Sequence, residues 1–178
     1  EAEKQVADIA NKYGMALIGP NCMGVITPAS RVDSVFLPIY KLGRPRVGGI
    51  SFISQSGAVG GCIVDLAARE GIGMSKFVSY GNAAVVDECD LLSYLASDKD
   101  TEIIVVYLEG VKDGRKLLDI ARQITKKKPV VVIKAGKSAS GAQAALSHTG
   151  SLAGSAEAYH AAFKQANMIE AHTLDELF

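Results

Sequence analysis

The residue best suited to covalent chemistry is a histidine set among small residues, in the run Ala144-Ala145-Leu146-Ser147-His148-Thr149-Gly150-Ser151. Neutral imidazole is a competent nitrogen nucleophile near pH 7. His148 closes a loop, 135–150, rich in glycine, alanine and serine, and it directly precedes a predicted helix. Such a loop has little bulk to anchor it, so movement is expected there. A phosphoryl group on the ring would sit near helix-start N–H groups. Taken alone, a single histidine usually has no catalytic role, and it is the loop around it that favours one here. His160, inside a predicted helix 152–165, and His172, just before Thr173, offer less for chemistry.

Three other turns carry polar groups. Ser54-Gln55-Ser56-Gly57 joins a predicted strand to a helix. Small residues there leave N–H groups open at the positive end of the helix dipole, which makes an anion site. The same residues also read as a plain serine N-cap, and no Gly-Lys-Ser/Thr follows to make a Walker A loop. Ser79-Tyr80-Gly81-Asn82 follows the next strand, and Gly81 and Asn82 suit a left-handed turn. Asn82 is also long enough to reach a ligand. Glu109-Gly110 ends the apolar run Ile103–Leu108. A carboxylate there faces the ligand side of a parallel sheet and favours a cationic or phosphorylated imidazole. The alternative is an exposed turn acid.

The elements that must position these turns alternate regularly from Gly48 onward. Strands are predicted at Ile50–Ser54, Lys76–Ser79, Ile103–Leu108, Val130–Lys134 and Met168–Ile169. Helices are predicted over Gly57–Glu70, from an Asp87 N-cap to about Ala96, over about 112–126, and over about 152–165. Thr173 and Glu176 have capping-box spacing and predict a final helix. Continuous apolar strands between amphipathic helices imply a parallel sheet covered on both faces. The fold class is therefore α/β: a flavodoxin-like, doubly wound, five-stranded parallel sheet, with strand order 2-1-3-4-5 as the default.

Residues 1–13 predict a helix with Val6, Ile9 and Ala10 on one face, and Met15–Ile18 predicts a strand. A helix and strand with no strand before them read as the tail of another domain. The chain opens at Glu1 inside a helical pattern, which predicts excision from a longer polypeptide. The expected division is 1–27 as that tail, 28–47 as a proline-containing linker, and 48–178 as the main domain.

Lys+Arg and Asp+Glu are both 19, so the basic excess of a nucleic-acid or anionic-membrane surface is missing. Lys126-Lys127-Lys128 reads as a solvated helix end. Cys22, Cys62 and Cys89 are odd in number and far apart, which predicts neither a zinc site nor a disulfide framework and points to the reducing cytoplasm. No apolar run reaches the ~20 residues of a membrane-spanning helix. Apolar residues make up 48% of the chain, enough for a real core.

The stretches GPNCMGVITP (19–28), SFISQSGAVG (51–60), SYGNAAVVDECDLLSYLASD (79–98), VVYLEGVKDGRK (105–116) and KKPVVVIKAGKSASGAQAALSHTGSLAGS (127–155) resemble NDP-forming acyl-CoA synthetases, and more distantly the α subunit of succinyl-CoA synthetase. The resemblance covers nearly the whole chain in order, and the run ending SHTGSLAG is its most specific part. It implies an acid–thiol ligase that interconverts acyl-CoA, phosphate and NDP with acid, CoA and NTP, through an acyl phosphate and a phosphohistidine. By resemblance His148 is that histidine and Glu109 the acid that steadies it. Ser54, Gln55, Ser56 and Gly57 match the phosphate cradle, and Thr149 and Gly150 flank the histidine. Asn21, Gly81 and Asn82 lie where acyl or CoA-side contacts are expected. CoA and phosphate enter as substrates. ATP or ADP with Mg2+ is expected on an ATP-grasp domain or β subunit that this chain lacks, and the tail 1–27 belongs to a CoA-binding Rossmann domain. No cofactor is expected on this chain itself. A homo- or hetero-oligomer is implied.

Two other readings belong to different classes. A non-catalytic acyl-CoA-binding module regulating a fused enzyme such as an acyltransferase could dispense with the histidine, and the intact SHTG run argues against it. A flavin-binding domain needs aromatic flanks, whereas aromatics are 6% and Trp is absent.

Overall fold

A computed structural model describes residues 1–136 and 156–177. The predicted loop beyond Gly136, with His148, Thr149 and Gly150, lies outside the described residues.

The chain begins with α1 (Ala2–Lys12). A short hairpin follows, β1 (Val25–Thr27) and β2 (Val32–Asp33). Then come β3 (Val47–Ser54), α2 (Gly57–Arg69), β4 (Met74–Ser79) and α3 (Glu88–Ser97). The remainder is β5 (Ile103–Leu108), α4 (Gly114–Ile124), β6 (Val130–Lys134), α5 (Ala156–Gln165) and β7 (Ile169–Ala171). The strands form a seven-stranded sheet in the order β2-β1-β4-β3-β5-β6-β7. From β4 to β7 all neighbours are parallel. That block has the expected 2-1-3-4-5 order. The two further strands extend it at the β4 edge, where β1 runs antiparallel to β4.

Alternation along each buried strand divides the core into two layers. Phe52, Phe77, Val105 and Ile133 point to the side covered by Ile63, Val64 and Ala67 of α2. Ile53, Val78, Val106 and Val132 point to the other side, under Leu92 and Leu95 of α3, Leu117 and Ala121 of α4, and Phe163 of α5. Among the described residues helices thus pack on both faces, and the carboxyl ends of the strands open into turns.

Several expectations need correcting. Met15–Ile18 is not a strand; the Leu17 and Gly19 carbonyls instead accept from Val86 and Ala84 N–H, at 3.1 and 2.9 Å. The β4 edge that such a strand would need is occupied by β1. The all-parallel, five-stranded sheet gains its antiparallel hairpin from residues read as tail and linker. Thr173 does not open an α-helix: a single 3-10 turn, Asp175–Leu177, closes the described chain, and the Glu176 carboxylate accepts from His172 N–H at 2.6 Å. Lys128 is not merely solvated: its Nζ donates to the Leu95 and Asp98 carbonyls at 2.8 and 2.6 Å, capping α3. Among the described residues no helix is long and apolar enough to cross a membrane.

A polar network fastens the amino-terminal ends of the strands. Lys76 Nζ lies 2.6 Å from Asp98 Oδ2, with the two side chains 9% and 12% exposed. Thr101 donates to the same carboxylate and shares a 2.7 Å bond with Ser51 of β3. Burial pushes the Asp98 carboxyl up, but the bonds from Lys76 and Thr101 outweigh it and hold its pKa below the ordinary value. A depressed carboxyl contributes stability above the unfolded-state pKa of ~3.9 and loses it as pH falls through the folded value. Asp98→Ala leaves the buried Lys76 with only the exposed Asp100 carboxylate, at 4.0 Å, as an ion-pair partner, so chemical denaturation at pH 7 is expected to show a loss of roughly 3 kcal/mol. The gap between wild type and variant should narrow as the pH is lowered below ~4.

Candidate functional site

At the carboxyl ends of β3, β4 and β5 the turns diverge around one cleft of about 1000 Å3. Ligands of doubly wound sheets bind at this end of the sheet, because there the strand-to-helix turns part.

One lip is the start of α2. Ser56 is its N-cap, and the serine hydroxyl accepts from Val59 N–H at 3.5 Å. The amides of Gly57 and Ala58 belong to the first turn, whose N–H groups have no intrahelical acceptor. Both residues line the cleft, and neither carries bulk that would screen an anion from the dipole. Ser54 plays a different part: it is fully buried, and its hydroxyl donates to the Ser56 carbonyl at 2.7 Å. It shapes the turn from below.

Gln55 crosses from this lip to the next. Its backbone N–H donates to the Tyr107 carbonyl at 3.2 Å. Its side-chain Oε1 accepts from Glu109 N–H at 2.7 Å and Gly110 N–H at 3.0 Å. The residue is thus a clip between the β3 and β5 turns, and it consumes two amides that would otherwise point into the cleft. Glu109 is held on its other side by Lys134, whose Nζ donates to the Glu109 carbonyl at 2.9 Å and to the Ala135 carbonyl. With its backbone fixed at both ends, the half-buried Glu109 carries its carboxylate on the cleft wall. Its charge reaches the neighbouring phenols: burial first, then Glu109, pushes the Tyr107 hydroxyl pKa up.

The opposite wall is the segment 19–21 laid against the β4 turn. Gly81, at φ +54°, passes so close to the carbonyls of Pro20 and Asn21 that a Cβ would collide with both. Any other residue would push the segments apart, which explains the glycine. Asn82 N–H donates to the Pro20 carbonyl at 3.0 Å, Asn21 Nδ2 donates to Asn82 Oδ1 at 3.3 Å, and Asn82 Nδ2 donates to Glu3 Oε2 at 2.7 Å. Asn21, Gly81 and Asn82, distant in sequence, therefore meet on one surface with Gln55, Ser56, Gly57 and Glu109.

The chain reaches the cleft rim again at Ala135 and Gly136, the last described residues before the segment that holds His148. His160 is engaged elsewhere, its Nδ1 2.6 Å from Glu170 Oε2. Among the described residues no group of three or more His, Cys, Asp or Glu side chains could hold a metal ion.

Sequence reasoning missed three residues on this cleft or beneath it. Glu88 and Lys112 line it, and Lys112 Nζ donates to the Ala83 carbonyl at 2.6 Å. Tyr80 lies buried next to Glu88 and Glu109; burial, then the charge of Glu88, pushes its pKa well up. Glu88 was hidden behind Asp87, whose capping signal accounts for the first turn of α3 without it.

Residues 47–178 match the model of the succinyl-CoA ligase like flavodoxin domain. The chain is 49% identical over 175 residues to the α subunit of ADP-forming acetate–CoA ligase II of Pyrococcus furiosus, covering 98% of this chain and 37% of that protein. It is 49% identical over 176 residues to ADP-forming acetate–CoA ligase I of Archaeoglobus fulgidus, covering 99% of this chain and 25% of that one. Among solved structures, acetyl-coenzyme A synthetase 1 of Ca. Korarchaeum cryptofilum, in complex with phosphate and ADP, superposes with a TM-score of 0.90 at 40% identity, over 98% of this chain and 37% of that one. The chain thus spans well under half the length of these relatives. With the sheet order, the sealed core and the open carboxyl-end turns in agreement, it belongs to the succinyl-CoA ligase-like flavodoxin domain family.

Proposed function

We propose that this chain is the phosphohistidine-bearing part of an NDP-forming acyl-CoA synthetase, with acetate as a substrate and ADP as the nucleotide, by analogy with its relatives. The observation that supports this best is the meeting of the α2 start, Glu109 and Gly136 on one cleft. A helix start suited to phosphoryl oxygens, an acid placed to orient a ring and the root of the histidine segment thereby share one opening.

In this reading phosphate displaces CoA from the acyl group, forming an acyl phosphate. His148 then attacks its phosphorus. The new P–N bond forms as the P–O bond to the carboxylate breaks, and the electron pair leaves with the acid. The phosphohistidine later passes its phosphoryl to ADP. The amides of Gly57 and Ala58 and the α2 dipole hold the phosphoryl oxygens; each such fixed donor is worth roughly 2.7–4 kcal/mol of transition-state stabilisation in comparable sites. Thr149 and Gly150 flank the ring. The Glu109 carboxylate would repel a phosphate that it faced, so it serves the ring's other nitrogen, fixing the tautomer and favouring positive charge there.

Nucleotide and Mg2+ belong to an ATP-grasp domain, on the same polypeptide or on a β subunit, and CoA to a Rossmann domain whose end is the segment before the β1–β2 hairpin; that hairpin itself pairs with the main sheet. Asn21, Gly81 and Asn82 then face the acyl-CoA side. Free thiols at Cys22, Cys62 and Cys89 are consistent with the cytoplasm.

Two expected outcomes test the reading in the complete enzyme. His148→Ala should abolish ATP formation from acetyl-CoA, phosphate and ADP while acetyl-CoA is still converted to acetyl phosphate; ATP formation at the wild-type rate would refute it. Glu109→Gln should slow phosphoryl transfer by roughly 10² or more with the KM for acetyl-CoA little changed, measured by rapid-quench turnover.

A further inference from the structure

Three acids open α3, and two of them have complete roles. Asp87 accepts from Asp90 N–H at 2.9 Å, and Asp90 accepts from Asp87 N–H at 3.1 Å. Lys116 Nζ stands 3.2 and 3.4 Å from their carboxylates. The helix is therefore capped and its charge balanced without Glu88. Yet Glu88 is only 2% exposed, lines the cleft, and makes no hydrogen bond to the side chain or backbone of another described residue. Beside it, the hydroxyl of Tyr80 is a buried polar atom with no partner among the described residues.

Burying a carboxyl is costly, and no hydrogen bond from another described residue offsets that cost here; only its own backbone N–H and the charges of Lys112 and Lys116 favour the ionised form. Burial pushes the Glu88 carboxyl up against the pull of its own backbone N–H. Burial favours the protonated form of the carboxyl, and in that form it can donate a hydrogen bond as well as accept one. Lys112, held by the Ala83 carbonyl, brings a positive charge to the same wall, and Ala83 and Val111 give the short apolar surface that a small alkyl group needs.

We propose that Glu88 is the acyl-recognition residue of this cleft, its carboxyl group hydrogen-bonding an oxygen of the substrate's own carboxyl or acyl group. The proposal rests on the phosphohistidine reading and adds to it the contact that seats the acid. In the reverse step a carboxylate oxygen attacks phosphorus, a P–O bond forms, the P–N bond to the ring breaks, and its electron pair returns to the ring nitrogen. An O–H···O bond from Glu88 to the other oxygen of that carboxylate would hold the nucleophile in place and offset the repulsion between two anions.

The test separates loading from discharge in the complete enzyme. Enzyme is loaded with γ-labelled ATP and Mg2+, freed of nucleotide, and mixed with acetate; label retained on protein is followed over time. Glu88→Ala and Glu88→Asp, the latter withdrawing the carboxyl by one methylene, should load as wild type but discharge roughly 10- to 100-fold more slowly, the cost of one hydrogen bond to a charged group. Glu88→Gln, still a donor, should discharge within roughly threefold of wild type. A general folding defect would lower loading instead of the ratio of discharge to loading, and Glu88→Asp carries the test if Glu88→Ala does not fold. Unimpaired discharge in Glu88→Ala or Glu88→Asp overturns this inference alone. Failure of the wild type to load at all overturns the phosphohistidine reading and this inference with it.

Discussion

The site depends on one side chain spanning two turns. Gln55 leaves the end of β3, and its carbonyl oxygen accepts from the consecutive amides of Glu109 and Gly110 at the end of β5. Parallel neighbours in register deliver both turns to the same edge, since Ser54 pairs with Tyr107. The clip then fixes the distance between a helix start that attracts anions and a carboxylate that repels them. Without it, the carboxylate would be free to turn toward the dipole and occupy the anion site itself. Lys134 supplies the second restraint, holding the Glu109 carbonyl from the neighbouring strand. The acid is thus positioned by its backbone, which leaves its side chain available.

Much of the fold was legible in the residues because its central strands are buried on both faces. Ile103–Leu108 and Val130–Lys134 read as apolar runs with unambiguous ends, and both stand where they were expected. The antiparallel hairpin was not legible. Its strands are three and two residues long, too short for periodicity to register, and Pro28 between them reads as a breaker. Its place in the sheet is fixed by long-range pairing, Val25 with Val78 and Ile26 with Phe77, which no local pattern encodes. For the same reason Met15–Ile18 was misread: an apolar run becomes a strand only where a sheet edge is free.

The site divides in the same way. Turns that follow strands announced themselves through small residues and a carboxylate, and the topology collects them at one cleft. What each side chain does there was not readable. Ser54 faces inward, and Gln55 spends its oxygen on two amides. Glu88 gave no signal because in a helical first turn an acid is ordinary. Only its burial, without a hydrogen bond from any other described residue, sets it apart from Asp87 and Asp90. The closeness of Gly81 to Pro20 and Asn21 shows equally that the tail segment and the β4 turn are shaped to each other, so the wall they form together exists only in the folded chain.

The central claim is that one imidazole holds the phosphoryl group in transit beside the α2 start. Its most direct measurement is the site and chemistry of the modification. The complete enzyme would be incubated with acetyl-CoA and phosphate without nucleotide, quenched in base, digested, and mapped by mass spectrometry. The account predicts a phosphate on His148 that survives alkali and is lost in mild acid. An acid-stable phosphate on Ser147 or Thr149, or none on this segment while turnover proceeds, would contradict it.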